Sequence, residues 1–98
     1  MESFKDLINS DKPVLVDFYA DWCAPCKTMS PVIQEVARAT QGRARVVKVD
    51  IDKSVQAAQA YGVQAVPTFI IFKGGNIVWR HSGIIDKNSL VNQLQQVS

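Results

Sequence analysis

The sequence lacks several features that would place it in a specialised class of protein. Its longest unbroken apolar stretches, residues 14–16 and 69–72, are far too short to cross a bilayer. The eleven Lys and Arg residues are interspersed with nine Asp and Glu residues and leave a net charge of +2, so neither nucleic acid nor a membrane is an expected partner. Residues 1–11 contain no apolar signal segment, and we therefore expect a cytoplasmic protein.

The composition that remains is that of an ordinary globular domain. Apolar residues make up 47% and charged residues 20% of the 98 residues. A chain of this length should bury roughly 65% of the surface that it exposes when unfolded, which is enough for one core without a metal or disulfide staple. We therefore expect residues 1–98 to form a single domain.

The apolar pattern predicts eight elements in the order α-β-α-β-α-β-β-α. Helices are expected at residues 3–9, at 23–41 with a kink at Pro31, at 54–61 with Ser54 as N-cap, and after a cap at Asp86. Strands are expected at 13–20, 44–51, 68–72 and 77–81, the last two joined by a turn at 73–76 and ended by Gly83. Because the first strand is apolar on both faces, the fold class should be α/β, with a central mixed sheet between helices.

The two cysteines are the strongest chemical signal. Cys23 and Cys26 are three positions apart, after a buried strand and at the start of a predicted helix. Unsatisfied N–H groups and the dipole at a helix N-terminus favour the thiolate, so the pKa of Cys23 should fall. Cys26, one turn further along, should be more buried and less ionised. This asymmetry suits disulfide exchange, in which Cys23 attacks a substrate disulfide and Cys26 resolves the mixed disulfide.

Three other interpretations of the cysteine pair stay open at this point. The pair could supply two of the four ligands of a zinc site, but His81 is the only histidine and there is no third cysteine. It is a structural disulfide if it stabilises the fold, but so short a loop removes little unfolded-state entropy. It is a pair of inert thiols if it is fully buried, but the loop should be partly exposed.

Asp17 interrupts an otherwise apolar strand six residues before Cys23. A buried carboxylate is costly unless it is protonated or paired, so the pKa of Asp17 should be raised. We predict that Asp17 accepts the proton of Cys26 during the resolving step. Lys48, on the neighbouring strand, can pair with it and limit the shift. The alternative is a structural ion pair without a role in proton transfer.

The dipeptide Val66-Pro67 stands at the entrance of the third strand. A cis bond is available before proline at small cost, and here it would present the Val66 backbone to an incoming extended peptide. The residues themselves do not decide the isomer, and an ordinary trans proline at a strand start is the more frequent case.

Together these motifs resemble the thioredoxin family over residues 13–94. The matching segments are 16–18 (VDF), 22–27 (WCAPCK), Pro31, 49–52 (VDID), 61–63 (YGV), 66–68 (VPT), 73–75 (KGG) and Gly83. The resemblance implies the thioredoxin fold and a cis bond before Pro67. It also implies Cys23 as the nucleophile and Cys26 as the resolving thiol, with Asp17 and Lys48 as a buried pair that handles the proton.

The resemblance further implies a protein-disulfide reductase that itself binds neither cofactor nor metal. A flavin-containing, NADPH-dependent thioredoxin reductase would be its electron donor, and its clients would be proteins with exposed disulfides. The implied substrate-docking surface consists of Trp22, Ala24, Pro25, Ile51, Val66, Pro67, Gly83 and Ile84. The alternatives are an exported reductase or isomerase that uses the same thiols, and a non-catalytic binding module on this scaffold.

Three departures from the family pattern carry expectations of their own. Ala24 stands where the family usually has Gly, a change that can alter the loop and its redox potential. Tyr19 stands where Trp is frequent and should be accommodated by packing. Residues 1–3 are too few for the edge strand that usually precedes the first helix, so the sheet should have about four strands, with residues 44–51 at an open edge. We expect a monomer, with dimerisation through that edge as the alternative.

Overall fold

The segments rich in β-branched and aromatic residues form the sheet, as their composition predicts. The computed structural model describes residues 3–98, and within this range the strands are β1 (Val14–Tyr19), β2 (Arg45–Asp50), β3 (Thr68–Lys73) and β4 (Asn76–Ser82). Their order across the sheet is β2-β1-β3-β4. β1 is parallel to β2 and antiparallel to β3, and β3 is antiparallel to β4. The predicted mixed sheet is therefore confirmed.

Strand β1 lies inside the sheet because both of its faces are apolar. Residues 14–18 are all buried, including Asp17. Strand β2 lies at one edge of the sheet within the described range, as expected, and β4 lies at the other. The expectation that no strand precedes the first helix falls mainly on Met1 and Glu2, which lie outside the described residues.

The helices are α1 (Phe4–Ile8), α2 (Ala24–Ala39), α3 (Val55–Ala60) and α4 (Lys87–Gln96), each close to its predicted bounds. Asp86 caps α4, its carboxylate accepting the N–H of Ser89. Ser54 is the N-cap residue of α3, as predicted, although its side chain makes no capping hydrogen bond. Helix α2 continues through Pro31. None of the helices within residues 3–98 has the length and apolar character needed to cross a bilayer.

The apolar side chains form one core on each face of the sheet. On one face, α2 and α4 pack against alternate residues of β1 and β3, such as Leu15 and Phe69. On the other face, α1 and α3 pack against the intervening residues, such as Val16, Phe18 and Phe72. This layered arrangement holds the carboxyl ends of β1 and β2 side by side, which is where the chain's chemically distinctive residues lie.

Three glycines shape the connections around β4. The hairpin between β3 and β4 turns at Gly74 and Gly75, whose φ angles are 59° and 85°, a region that favours glycine. Both strands extend one residue further into this turn than predicted. Gly83, with φ of 99°, directly follows β4 and donates its N–H to the carbonyl of Pro67.

Candidate active site

The two cysteines lie where β1 leads into α2. Cys23 is the N-cap of α2, and Cys26 is in its first turn. The two residues are joined by a disulfide, with their Cα atoms 5.3 Å apart. Pro25 lies in the first helical turn, where its missing N–H costs the helix no hydrogen bond. The structure therefore describes the oxidised form of the pair.

One hydrogen bond distinguishes the two sulfurs. The backbone N–H of Cys26 donates to Sγ of Cys23 at 3.1 Å. An amide that donates to a sulfur favours its anionic form, because a hydrogen bond to a charged acceptor is stronger than one to a neutral acceptor. Once the disulfide is reduced, this amide and the helix N-terminus would both stabilise a Cys23 thiolate.

The expected difference in burial between the cysteines is wrong. Cys23 is 4% exposed and Cys26 is 7% exposed, so Cys26 is not the more buried of the two. The reason is that both cysteines belong to one apolar cluster with Ala20, against which Tyr19, Ile51 and Val66 pack. The asymmetry between the two sulfurs therefore lies in hydrogen bonding and not in burial.

Trp22, directly before Cys23, is anchored to a carboxylate that follows β2. It is 68% exposed, and its indole Nε1–H donates to Oδ2 of Asp52 at 2.9 Å. The backbone N–H of Asp52 in turn donates to Oδ1 of Asp50 at 2.8 Å. Sequence patterns alone had predicted no role for these two carboxylates. Their position at the end of β2 could have indicated that they lie near the cysteines, because the parallel strands β1 and β2 have their carboxyl ends at the same edge of the sheet.

Asp17 is buried in β1, with 2% of its surface exposed, and its Oδ1 has no hydrogen-bond partner among the described residues. Burial raises the pKa of this carboxyl to about 6, and the positive charge of Lys48 partly opposes the rise. Lys48 is the register partner of Asp17 but makes no direct ion pair with it. The Nζ of Lys48 instead lies 4.6 Å from the centroid of the Tyr19 ring. The predicted interaction of Lys48 with Asp17 is therefore an electrostatic attraction over a longer distance and not a direct ion pair.

A small cleft opens beside Cys26. Its volume is about 120 Å³, and it is lined by Tyr19, Ala20, Asp21, Cys26, Lys27, Ser30 and Lys48. This volume has room for about four water molecules. Water in this cleft would lie between Cys26 and Lys48.

The Val66–Pro67 peptide bond is cis. The N–H and C=O groups of Val66 make no hydrogen bond within the described residues, whereas the carbonyl of Pro67 accepts the N–H of Gly83 at 2.9 Å. Val66 and Ile51 both pack against the cysteines. An unpaired backbone donor and acceptor thus lie beside the disulfide, an arrangement to which an extended peptide can add by strand-like pairing.

The remaining residues of the expected docking surface lie around this point. Ala24 and Pro25 are exposed at the start of α2, and Ile84 is 60% exposed directly after Gly83. Trp22 and Ile84 are therefore large apolar side chains on the surface. Trp22 directly precedes Cys23, and Ile84 directly follows Gly83. Exposed apolar surface of this kind is typical of a protein-binding site.

Comparison with known proteins gives consistent matches. A family model described as thioredoxin matches residues 1–96. The chain is 47% identical to thioredoxin Y2, chloroplastic, of Arabidopsis thaliana over 95% of its length, and spans only 56% of that relative. It is 42% identical to thioredoxin 1 of Nostoc sp. over 94% of this chain and 86% of the relative. It is 41% identical to thioredoxin of Synechocystis sp. over 96% of this chain and 89% of the relative.

Proposed function

The chain belongs to the thioredoxin family, and from this membership we propose that residues 1–98 form one catalytic domain, a thiol–disulfide oxidoreductase that reduces disulfides in other proteins. The observation that carries the proposal is the disulfide between Cys23 and Cys26 at the start of α2. It lies beside the unpaired backbone of Val66, so the reacting sulfurs and a docking edge for peptide occupy one place.

The reaction begins with the reduced dithiol. The Cys23 thiolate attacks one sulfur of a substrate disulfide, forms a mixed disulfide and expels the other substrate sulfur as a thiolate. Cys26 then loses its proton and attacks Sγ of Cys23. The bond between Cys23 and the substrate breaks, the second substrate thiolate leaves, and the Cys23–Cys26 disulfide forms. Two electrons pass to the substrate, and the chain ends in the oxidised form that the structure describes.

Asp17 is the proton acceptor that we propose for the resolving step. Its pKa of about 6 leaves most of the carboxyl ionised at neutral pH while keeping it more basic than an ordinary aspartate. The cleft beside Cys26 has room for water and is also lined by Lys48, the register partner of Asp17. Water in this cleft would carry the proton from Cys26 toward Asp17. Below pH 6 the carboxyl is protonated and cannot accept, so resolution should slow as pH falls through that value.

We propose that substrates dock on the surface formed by Trp22, Ala24, Pro25, Ile51, Val66, Pro67, Gly83 and Ile84. An extended segment of the substrate would pair with the backbone of Val66, and the exposed apolar side chains would contact residues on either side of its cysteine. The hydrogen bond from Trp22 to Asp52 supports this role, because it holds the indole over the loop at no cost in ordering during binding.

The proposed electron donor is a flavin-containing, NADPH-dependent thioredoxin reductase, and the proposed compartment is the cytoplasm. A chloroplast location is the alternative, since some of the relatives are chloroplastic. NADPH oxidation with purified reductase, coupled to reduction of the Cys23–Cys26 pair, tests the donor. A redox potential more negative than that of the glutathione couple would show that the chain acts as a reductant.

We also propose that the chain is a monomer, with the open β2 edge as the place where a dimer would form. Sedimentation equilibrium over a wide concentration range tests this. A mass that rises with concentration would favour the dimer.

The decisive experiment on activity compares the unaltered chain with Cys23→Ser in the reduction of insulin disulfides. The unaltered chain should accelerate reduction by dithiothreitol, and the variant should not, because it lacks the nucleophile. Equal and negligible rates for both proteins would show a binding module and refute the proposed function. Asp17→Asn tests the proton acceptor separately: the slowing of the resolving step near pH 6 should disappear, and an unchanged pH profile would refute that role.

A further inference from the structure

Substrate docking, as proposed above, depends on a segment without regular secondary structure. Residues 61–67 connect α3 to β3 and present the unpaired N–H and C=O groups of Val66. Pairing with an extended substrate requires that this donor and acceptor are already in place. If the segment were mobile, the entropy of ordering it would be paid at each binding event and would weaken binding.

Arg80 of β4 ties the start of this segment to the sheet. Its Nη1 donates to the carbonyl of Tyr61 at 2.7 Å, and its Nη2 donates to the carbonyl of Gly62 at 3.2 Å. One planar guanidinium thus holds two successive carbonyls at the end of α3, where helical carbonyls have no partner within the helix. The backbone of Arg80 is itself anchored, because it pairs in register with Ile70 of β3.

The other end of the segment is held by the same part of the sheet. The hydroxyl of Thr68 donates to the carbonyl of Ala65 at 2.7 Å and lies 2.9 Å from the hydroxyl of Ser82 in β4. Gly83, directly after β4, donates its N–H to the carbonyl of Pro67. The end of β4 therefore contacts both ends of the segment, and Arg80 supplies the contact at the start.

We propose that Arg80 is a positioning residue for substrate docking, an inference that rests on the proposed function. By holding the carbonyls of Tyr61 and Gly62, Arg80 fixes the start of the segment. Since Gly83 fixes its end through Pro67, Val66 then lies between two anchored points. Arg80 does not take part in the exchange of sulfurs. Its loss should therefore weaken the binding of protein substrates and leave the chemistry at Cys23 unchanged.

The test uses stopped-flow mixing of the pre-reduced chain with excess substrate. Arg80→Ala should raise the KM for insulin disulfides about threefold to tenfold, the range expected for one lost hydrogen-bonding group, with kcat unchanged. A small aromatic disulfide, which needs no extended docking, should react at the unaltered rate. Arg80→Lys should restore part of the affinity, because an ammonium can still bond one carbonyl.

Arg43→Ala is the matched control. Arg43 also donates from Nη2 to a carbonyl at the end of a helix, that of Ala39, at 2.7 Å. This control should leave KM unchanged, although it removes a contact of the same kind. An Arg80→Ala protein with unaltered KM, or one in which insulin and the small disulfide lose rate in equal proportion, would overturn the proposal.

Amide hydrogen exchange gives a readout that does not depend on activity. The amides of Gly62 and Val63 donate to the carbonyls of Gln59 and Ala58 and are therefore protected from exchange. In Arg80→Ala these two amides should exchange faster than in the unaltered chain, whereas in Arg43→Ala they should not. Unchanged exchange at these amides would overturn the positioning role even if the chain were active. If the unaltered chain reduces neither substrate, the proposed function is refuted, and the exchange data still decide whether Arg80 holds the segment.

Discussion

Burial of Asp17 makes the stability of the folded chain depend on pH in a direction opposite to that of a typical salt-bridged aspartate. Its pKa is raised from 3.8 to about 6, so the folded state binds this proton more tightly than the unfolded state. The stability that protonation of Asp17 contributes is thus complete below pH 3.8 and is lost as pH rises through about 6. Since each pKa unit is worth about 1.4 kcal/mol, the total loss is about 3 kcal/mol.

Asp17→Asn keeps the volume of the side chain and removes its titration. The free energy of unfolding is measured with denaturant on both oxidised proteins. We expect its value for the variant, minus its value for the unaltered chain, to increase as pH rises. The gap should widen by about 3 kcal/mol between about pH 4 and about pH 7 and then stay constant. The cause is that only the unaltered chain must bury a charge that has no hydrogen-bond partner at Oδ1.

Asp11→Asn is the control for net charge, because Asp11 is exposed on the loop before β1. It reports how much of any pH dependence comes from changing the charge of the chain by one. The reasoning would be refuted if the difference in free energy of unfolding between Asp17→Asn and the unaltered chain stayed constant, or became smaller, as pH rises.

Three further outcomes are expected. Lys48→Met removes the charge that lowers the pKa of Asp17, so the midpoint of the same curve should move to higher pH, and a fall would contradict this. Cys26→Ser cannot resolve the mixed disulfide, so clients should stay bonded to the chain on non-reducing gels; recovery of none would count against the two-step reaction. Leu15→Ala should cost about 3 kcal/mol in denaturant unfolding because Leu15 is fully buried, whereas exposed Ile77→Ala should cost little.

The elements and the position of the cysteine pair were predictable because they depend on local pattern. The period of apolar residues reports helix or strand directly, and Gly74 and Gly75 mark a turn through their own backbone preferences. The spacing of Cys23 and Cys26, after an apolar strand and before a helical stripe, placed them at a helix start without knowledge of the fold. Asp17 was likewise recognisable as a charge in a strand with two apolar faces.

The contacts that refine the site were not predictable in this way. The hydrogen bond from Trp22 to Asp52 joins residues 30 positions apart, and those from Arg80 join β4 to the end of α3. The Nζ of Lys48 lies over the ring of Tyr19, although a direct pair with the carboxylate had been expected. Each of these contacts depends on which rotamer a long side chain adopts among several partners within reach.

The sequence by itself determined where helices and strands form, which strand is buried, and that two thiols stand at the start of a helix. These properties follow from the chain's own periodicity and spacing, which act between near neighbours. The burial of both cysteines, and the hydrogen bonds from Arg80 to the end of α3, were set by the packing of the folded chain. Such properties arise when strands distant in sequence become neighbours and pack, because burial and side-chain hydrogen bonding depend on everything that surrounds a group.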